Sequence, residues 1–387
     1  MSGLIYLDHA ATTPTRREVL EAMFPFFQHS YANPSSVHSA GREAASALEQ
    51  ARQQVAAVLG CTLGEIVFTS GGTESDNLAL IGVAESRRGW GNHVVISAIE
   101  HEAILQSASE LERRRFRVSV VPVDEFGEIH PSEVAHAVTD QTVLVSCMYA
   151  NNEIGTIQPV RDIVAAVRKV NPAVLIHTDA VQAAGALSLD VAALGVDLLS
   201  LSAHKIYGPR GAGILFARNG VELRPIIHGG GQESGRRSGT ENVAAAVGMA
   251  EALSLADAER FGETARLTAL RDRLIDGMLR TRRDVRLTGH PTKRLPGHAS
   301  FAFSDRSGES VLVDLDHHGI MCSSGSACHA GMTDPSHVLL AIGLSQSEAR
   351  NGLRMTLGRD TDEADIDQVL SVCSTLLRNP VGSVSAV

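Results

Sequence analysis

The chain has 387 residues, 44% of them hydrophobic, and a formal net charge of −10. That length supports a large core spread over two or three domains, and the acidic balance argues against bulk attraction to nucleic acid or to an anionic membrane. The five cysteines are too dispersed for a disulfide framework or a zinc ribbon, no basic leader follows Met1, and no apolar run approaches the roughly 18 residues of a membrane span, so the expected compartment is a reducing cytoplasm with no metal site.

In chain order, the pattern predicts a helix over 36–59, a strand over 65–69, a helix over 75–87, a strand over 93–97, a helix over 103–114 and a strand over 117–121. A helix over 131–137, a strand over 142–148 and a helix over 160–169 follow, then strands over 174–178, 197–202 and 213–217. Several of these strands are unbroken apolar runs, as befits strands covered on both faces. The alternation predicts an α/β domain with a mostly parallel central sheet. After about residue 258 a charged helix is expected over 266–280. Short strands over 285–287, 299–303, 319–323 and 352–357 then interleave with helices over 309–317, 338–342 and 362–377. That reads as a smaller α+β domain. The expected division is 15–257 for the large domain, and 1–14 with 258–387 for the small one.

Chemistry-bearing residues recur where the predicted strands end, which is where open α/β sheets place their ligands. After the first strand come Gly71, Gly72 and Thr73 at the start of a helix, a seat for phosphate. The same stretch also reads as a capped helix start, with Thr73 and Asp76 as a near capping box. Later ends carry His101, Asn152, and Asp179 with Gln182. Asp179 reads either as a helix cap or as the partner that keeps a pyridine nitrogen protonated. The last end carries Ser202, His204 and Lys205. A lysine desolvated at a buried strand end is nucleophilic enough to form a Schiff base. A phosphate seat, a ring-facing histidine, an amide, an acid and such a lysine together describe a site for pyridoxal 5'-phosphate.

From Tyr6-Leu7-Asp8-His9-Ala10-Ala11-Thr12-Thr13-Pro14 to Leu353-Arg354-Met355-Thr356-Leu357-Gly358-Arg359, the chain resembles the cysteine desulfurases that serve iron–sulfur cluster assembly. These are fold-type-I pyridoxal phosphate enzymes of the class-V aminotransferase group. The resemblance implies that Gly72, Thr73, Ser202 and His204 hold the phosphate, that His101 stacks on the ring, and that Asn152 and Gln182 flank its phenolic oxygen. It implies Asp179 for the ring nitrogen and Lys205 for the Schiff base. Thr240 is implied to reach the phosphate of a second subunit, hence a homodimer. Asn33, Asn152 and Arg354 are implied to bind the substrate, Arg354 taking its carboxylate as a fork.

Cys328 selects the reaction that the resemblance implies. It lies in Ser323-Ser324-Gly325-Ser326-Ala327-Cys328-His329, within a small, polar, glycine-containing stretch that reads as an exposed, mobile loop. The implied reaction converts L-cysteine to L-alanine and leaves the sulfur on Cys328 as a persulfide, for delivery to an acceptor protein: an iron–sulfur scaffold or a thiolation enzyme. No direct contact with nucleic acid or membrane is expected. Selenocysteine lyase is the alternative activity on the same scaffold. His329 stands where many relatives carry a small hydroxyl residue, and reads as lowering the thiol pKa, as shaping acceptor choice or as neutral variation. Cys322 reads as a buried strand residue, with a relay thiol as the lesser alternative. Cys61, Cys147 and Cys373 read as packing residues.

Overall fold

The computed structural model describes residues 3–282, 284–304, 306–324 and 335–378. Its strands are β1 (Ile5–Tyr6), β2 (Ile66–Thr69), β3 (His93–Ser97), β4 (Arg117–Val121), β5 (Thr142–Ser146), β6 (Leu175–Asp179), β7 (Leu198–Ser202), β8 (Gly213–Ala217), β9 (Val285–Leu287), β10 (His298–Phe303), β11 (Ile320–Met321) and β12 (Gly352–Thr356). Seven of them form the central sheet, in the order β2-β8-β7-β6-β5-β3-β4. β8 is antiparallel to both β2 and β7, and every other pairing is parallel. Two strands antiparallel to the same neighbour point the same way. The C-terminal ends of β2, β3, β4, β5, β6 and β7 therefore share one edge of the sheet.

The apolar runs are explained by burial on both faces. Every residue of β3, β5, β6, β7 and β8 is buried, whereas the edge strand β4 exposes Arg117 and Val120. Successive side chains of a strand point to opposite faces. In β7, Leu199 and Leu201 join one core with Phe68, Ile176, Phe216 and Leu253, and Leu198 joins a second core with Val67, Val94, Leu144 and Leu215.

Two predicted boundaries move in ways that matter. β6 ends on Asp179, so that carboxyl belongs to the strand rather than to the loop after it. The helix expected over 75–87 begins at Gly72, widens into a π turn over Leu78–Gly82 and ends at Ser86. Its first turn is closed by Glu74, whose Oε2 accepts from the Ser70 N–H at 2.8 Å, and the expected Thr73–Asp76 capping box does not form. Asp76 is buried instead.

The helix expected over 266–280 is the second half of one helix, Val243–Thr281. Its first half buries Ala245, Met249 and Leu253 against the large sheet, and its second half buries Leu270, Leu274, Ile275 and Met278 in a separate core. Between them Phe261 is exposed. Two apolar stripes on a single rigid rod span both cores, a continuity that the change in composition near residue 258 hides. The second core is completed by the antiparallel sheet β12-β10-β9, by the parallel pair β1 and β11, and by the helix Glu363–Arg378. Ile5 and Leu7 belong to it, so the N-terminal strand folds with the C-terminal third of the chain.

Candidate active site

The shared edge of the sheet opens into a cavity of about 390 Å³. It is lined by Gly72, Thr73, His101, Asn152, Asp179, Gln182, Ser202, His204, Lys205 and Arg354, with Ala10, Ala11, Asp76, Met148 and Val181. The structure thus brings together ten residues expected from the sequence. Asn33 and Thr240 are exposed and do not line it; the Asn33 side-chain oxygen accepts from the Ser35 N–H at 2.8 Å. Cys328 and its neighbour His329 lie outside the described residues.

Lys205 follows β7 on a single 3-10 turn, Ala203–Lys205. Its Nζ donates to the carbonyl oxygens of Ala10 and Ala11, at 2.6 and 2.8 Å. The N-terminal segment therefore roofs the lysine. That roof is itself held by Thr13, whose N–H and hydroxyl both donate to the His204 carbonyl at 2.9 Å, and by Gln182, whose Nε2 donates to the Ala10 carbonyl at 3.0 Å.

Asp179 closes β6 and accepts from the Val181 N–H at 2.9 Å. Burial pushes its carboxyl above the usual range, while His101 and Lys205 pull it back down. An acid in that state favours a cation seated against it. His101 caps the helix Glu102–Arg113, its Nδ1 accepting from the Ala103 N–H at 3.1 Å. A backbone N–H only donates, so in the neutral ring the proton sits on Nε2. Burial first, then Lys205 and Arg210, lower the His204 pKa to about 4. At neutral pH that ring is an uncharged hydrogen-bonding group.

Arg354 comes from β12, in the second core, and is buried. Its Nη2 donates to Asp8 Oδ1 at 2.8 Å and its Nη1 to the Asn152 carbonyl at 3.0 Å. Asp8 sits just past β1. The family-like N-terminal motif thus supplies both the roof over Lys205 and the counter-ion of Arg354.

Sequence reasoning assigned no chemical role to two buried acids. Asp76 is fully buried; burial and then Asp179 raise its carboxyl pKa, and its Oδ1 has no hydrogen-bond partner among the described residues. The nearest basic group is His177 Nε2, 3.8 Å away. His177 is locked between Ser146 and Ser200, each at 2.9 Å, and burial lowers its pKa to about 3. Glu100, beside His101, accepts from the Ser97 hydroxyl at 2.5 Å and from the Met148 N–H at 2.8 Å. Burial, chiefly, pushes its carboxyl up to about 8. The only sequence signal for Glu100 is a carboxylate near a strand end, whereas Asp76 lies inside the helix Gly72–Asn77, seven residues past β2.

Glu100 makes the stability depend on pH. Its folded pKa lies above the ordinary 4.5, so the folded state holds a proton that the unfolded chain releases, and stability falls as pH rises from 4.5 to about 8. Below 6.5 the depressed His177 and His204 oppose that slope, because stability there rises with pH toward their ordinary value. Between pH 6.5 and about 8 the slope of Glu100 stands clear of them. Across that window wild-type protein is expected to lose about 2 kcal/mol more than Glu100→Gln does, in urea unfolding at each pH.

Comparison with known proteins accounts for this arrangement. The family model for class-V aminotransferases matches residues 5–369. The chain is 45% identical over 380 residues to a cysteine desulfurase IscS of Clostridium botulinum, covering 98% of this chain and 95% of that one. The chain belongs to the cysteine desulfurases, within the class-V aminotransferase family. Among solved structures, a NifS-like protein superposes with a TM-score of 0.91 at 38% identity, covering 97% of this chain and 99% of that one. SspA in complex with cysteine superposes with a TM-score of 0.80 at 36% identity, over 91% and 98% of the two chains.

Cysteine desulfurases depend on pyridoxal 5'-phosphate, and the cavity of this desulfurase fits that group. At Gly72 an added Cβ would come within 2.9 Å of Val181 Cγ2, so a side chain there would crowd this wall of the cavity. Ser202, His204 and Thr73 line the same cavity with hydrogen-bonding groups, and Asp179 offers it a buried acid. Among the described residues, no group of histidine, cysteine and acidic side chains could hold a metal ion, and no helix is long and apolar enough to cross a membrane.

Proposed function

We propose that this protein converts L-cysteine to L-alanine and takes the sulfur onto Cys328. The observation that carries this reading is one cavity faced by Lys205, Asp179, His101 and Arg354, drawn from separate strand ends and from both cores. Bound pyridoxal phosphate supplies a carbonyl for the amine and a ring that accepts the electrons released at Cα. Gly72, Thr73, Ser202 and His204 would hold its phosphate, Asp179 would face its ring nitrogen, and Asn152 and Gln182 would flank its phenolic oxygen.

Arg354 receives the substrate carboxylate with Asn33 and Asn152, since a guanidinium fork matches a carboxylate. Lys205, with its amine free, would take the proton from the substrate Cα. The Cys328 thiolate attacks the substrate sulfur and forms an S–S bond as the C–S bond breaks. Protonation at Cβ, return of a proton to Cα from Lys205 and release of the amine would then yield alanine, with His101 carrying protons between thiol and ring. The described cysteines suit this role poorly. Burial pushes Cys61 and Cys373 up to about 12 and raises Cys147 and Cys322 as well, which keeps all four protonated.

Cys328 lies five residues past Ser323, which pairs with Arg354 through N–H···O bonds of 3.1 and 2.6 Å. Five residues reach at most roughly 16–18 Å, enough to serve the cavity and also to meet a docked acceptor. Iron–sulfur scaffolds and thiolation enzymes are acceptors of suitable chemistry. Exposed Thr240 supports a homodimer in which it completes the partner's phosphate site. The two apolar cores support the division into 15–257, and 1–14 with 258–387. The dispersed cysteines support a cytoplasmic setting. One addition of cysteine to the holoenzyme, followed by intact mass and peptide mapping, is expected to find one extra sulfur on Cys328 and one equivalent of alanine; sulfur elsewhere, or alanine without it, would refute the reading.

A further inference from the structure

The helix His337–Ala341 begins nine residues after Cys328 and is seated on the cofactor cavity's own loops. Ser336 donates its hydroxyl to Glu153 Oε2 at 2.5 Å, and both residues are buried. His337 Nε2 donates to the Glu100 carbonyl at 3.0 Å, and its Nδ1 lies 3.9 Å from Glu102 Oε1. Glu153 follows Asn152, while Glu100 and Glu102 flank His101. Below these contacts Val338, Leu339 and Ile342 share a separate apolar cluster with Ile99, Met148 and Ile154. The two cavity loops are themselves stitched together, since Asn151 Nδ2 donates to the Ile99 carbonyl at 2.9 Å. The other flank of Cys328 is fixed on Arg354 through Ser323.

We propose that Ser336 and His337 are positioning residues for sulfur transfer: they dock the downstream flank of Cys328 on the loops that carry His101 and Asn152. The inference rests on the desulfurase reading above. A charge-assisted bond between two buried groups is well suited to hold geometry, because breaking it leaves the Glu153 carboxylate buried and unsatisfied. Errors of about 1 Å in such an approach cost up to roughly 10²-fold in rate. The docking contacts reach the protein through a serine hydroxyl and a histidine N–H, neither of which lines the cavity. Their loss therefore acts on the meeting of Cys328 with the substrate sulfur and spares the binding of cofactor and cysteine.

The test uses holoenzyme variants His337→Ala, His337→Gln and Ser336→Ala. Two readouts are taken: the change in visible absorbance when cysteine is added, which reports binding, and single-turnover persulfide on Cys328 by mass spectrometry. His337→Ala and Ser336→Ala are expected to keep the amplitude and midpoint of the absorbance change and to form persulfide about tenfold more slowly. His337→Gln, which keeps a donor for the Glu100 carbonyl, is expected to recover most of the rate. Persulfide formation at wild-type rate in both alanine variants, an equal loss in His337→Gln, or a parallel loss of cysteine binding would each overturn the proposal. Cys328→Ala serves as the control: if that variant releases alanine at the wild-type rate, the desulfurase reading fails instead.

Discussion

Lys205→Ala is expected to abolish turnover, lowering alanine formation by at least roughly 10²–10⁴-fold, the contribution of a single proton-transferring group. On the proposed reading it also removes the amine that bonds the cofactor, so the purified variant is expected to show cofactor absorbance without the band of the lysine-bound form. Two controls separate this from collapse of the site. The Ala10 and Ala11 carbonyls lose a donor, but the Thr13 bonds to His204 and the Gln182 bond to Ala10 remain to hold the roof. Thermal unfolding of the apo variant should therefore stay close to wild type. Added methylamine is expected to restore part of the rate, because a small amine fits where the lysine stem was. Wild-type turnover in Lys205→Ala would mean that the cavity is not the place of reaction.

Cys328→Ala separates the cavity from the thiol. Every residue lining the cavity is retained, so cofactor binding and the absorbance change with cysteine are expected to match wild type. Alanine formation is expected to fall by roughly 10³-fold or more, because the substrate sulfur has lost its acceptor. Measured side by side, the two variants fail differently. Lys205→Ala loses the spectrum and the rate, and Cys328→Ala loses the rate alone. A spectrum lost in Cys328→Ala, or a rate retained, would contradict the division of labour proposed here. Selenocysteine offered to the same variant is a useful second substrate, since a lyase acting on it does not need a protein thiol to take the selenium.

Much of the site is legible in the order of residues because strand ends announce themselves. An apolar run long enough to be a buried strand stops at a polar residue, and in a parallel sheet those stops share one edge. Gly72, His101, Asn152, Asp179 and Lys205 are found by that rule, and all five line one cavity. The rule works for residues within a few positions of a strand end. It has no purchase on Asp8, which holds Arg354 across 346 positions of chain, or on Ser336 and His337, which look like an ordinary helix start. Asp76 misleads it in the opposite direction. Its spacing from Thr73 suggests a solvent-facing cap, yet the first turn is closed by Glu74 and Asp76 turns inward.

The long helix Val243–Thr281 shows the same limit at the scale of the fold. Averaged over its length it has no single apolar face, because each half answers to a different core. A reading by local periodicity sees only the charged second half as a helix and cuts the chain near residue 258.

By itself, then, the amino-acid sequence determined the kind of chemistry. Residue types at strand ends, together with one family-like cysteine motif, set the cofactor and the reaction, since these depend on which functional groups are present and how near they lie to a strand end. Tertiary structure decided which charges meet. The roof over Lys205, the Asp8 counter-ion of Arg354, the raised carboxyl of Glu100 and the seating of Ser336 on Glu153 all depend on long-range packing and on the exclusion of water. Burial and distance in space set those energies, and neither is written in the local order of the residues.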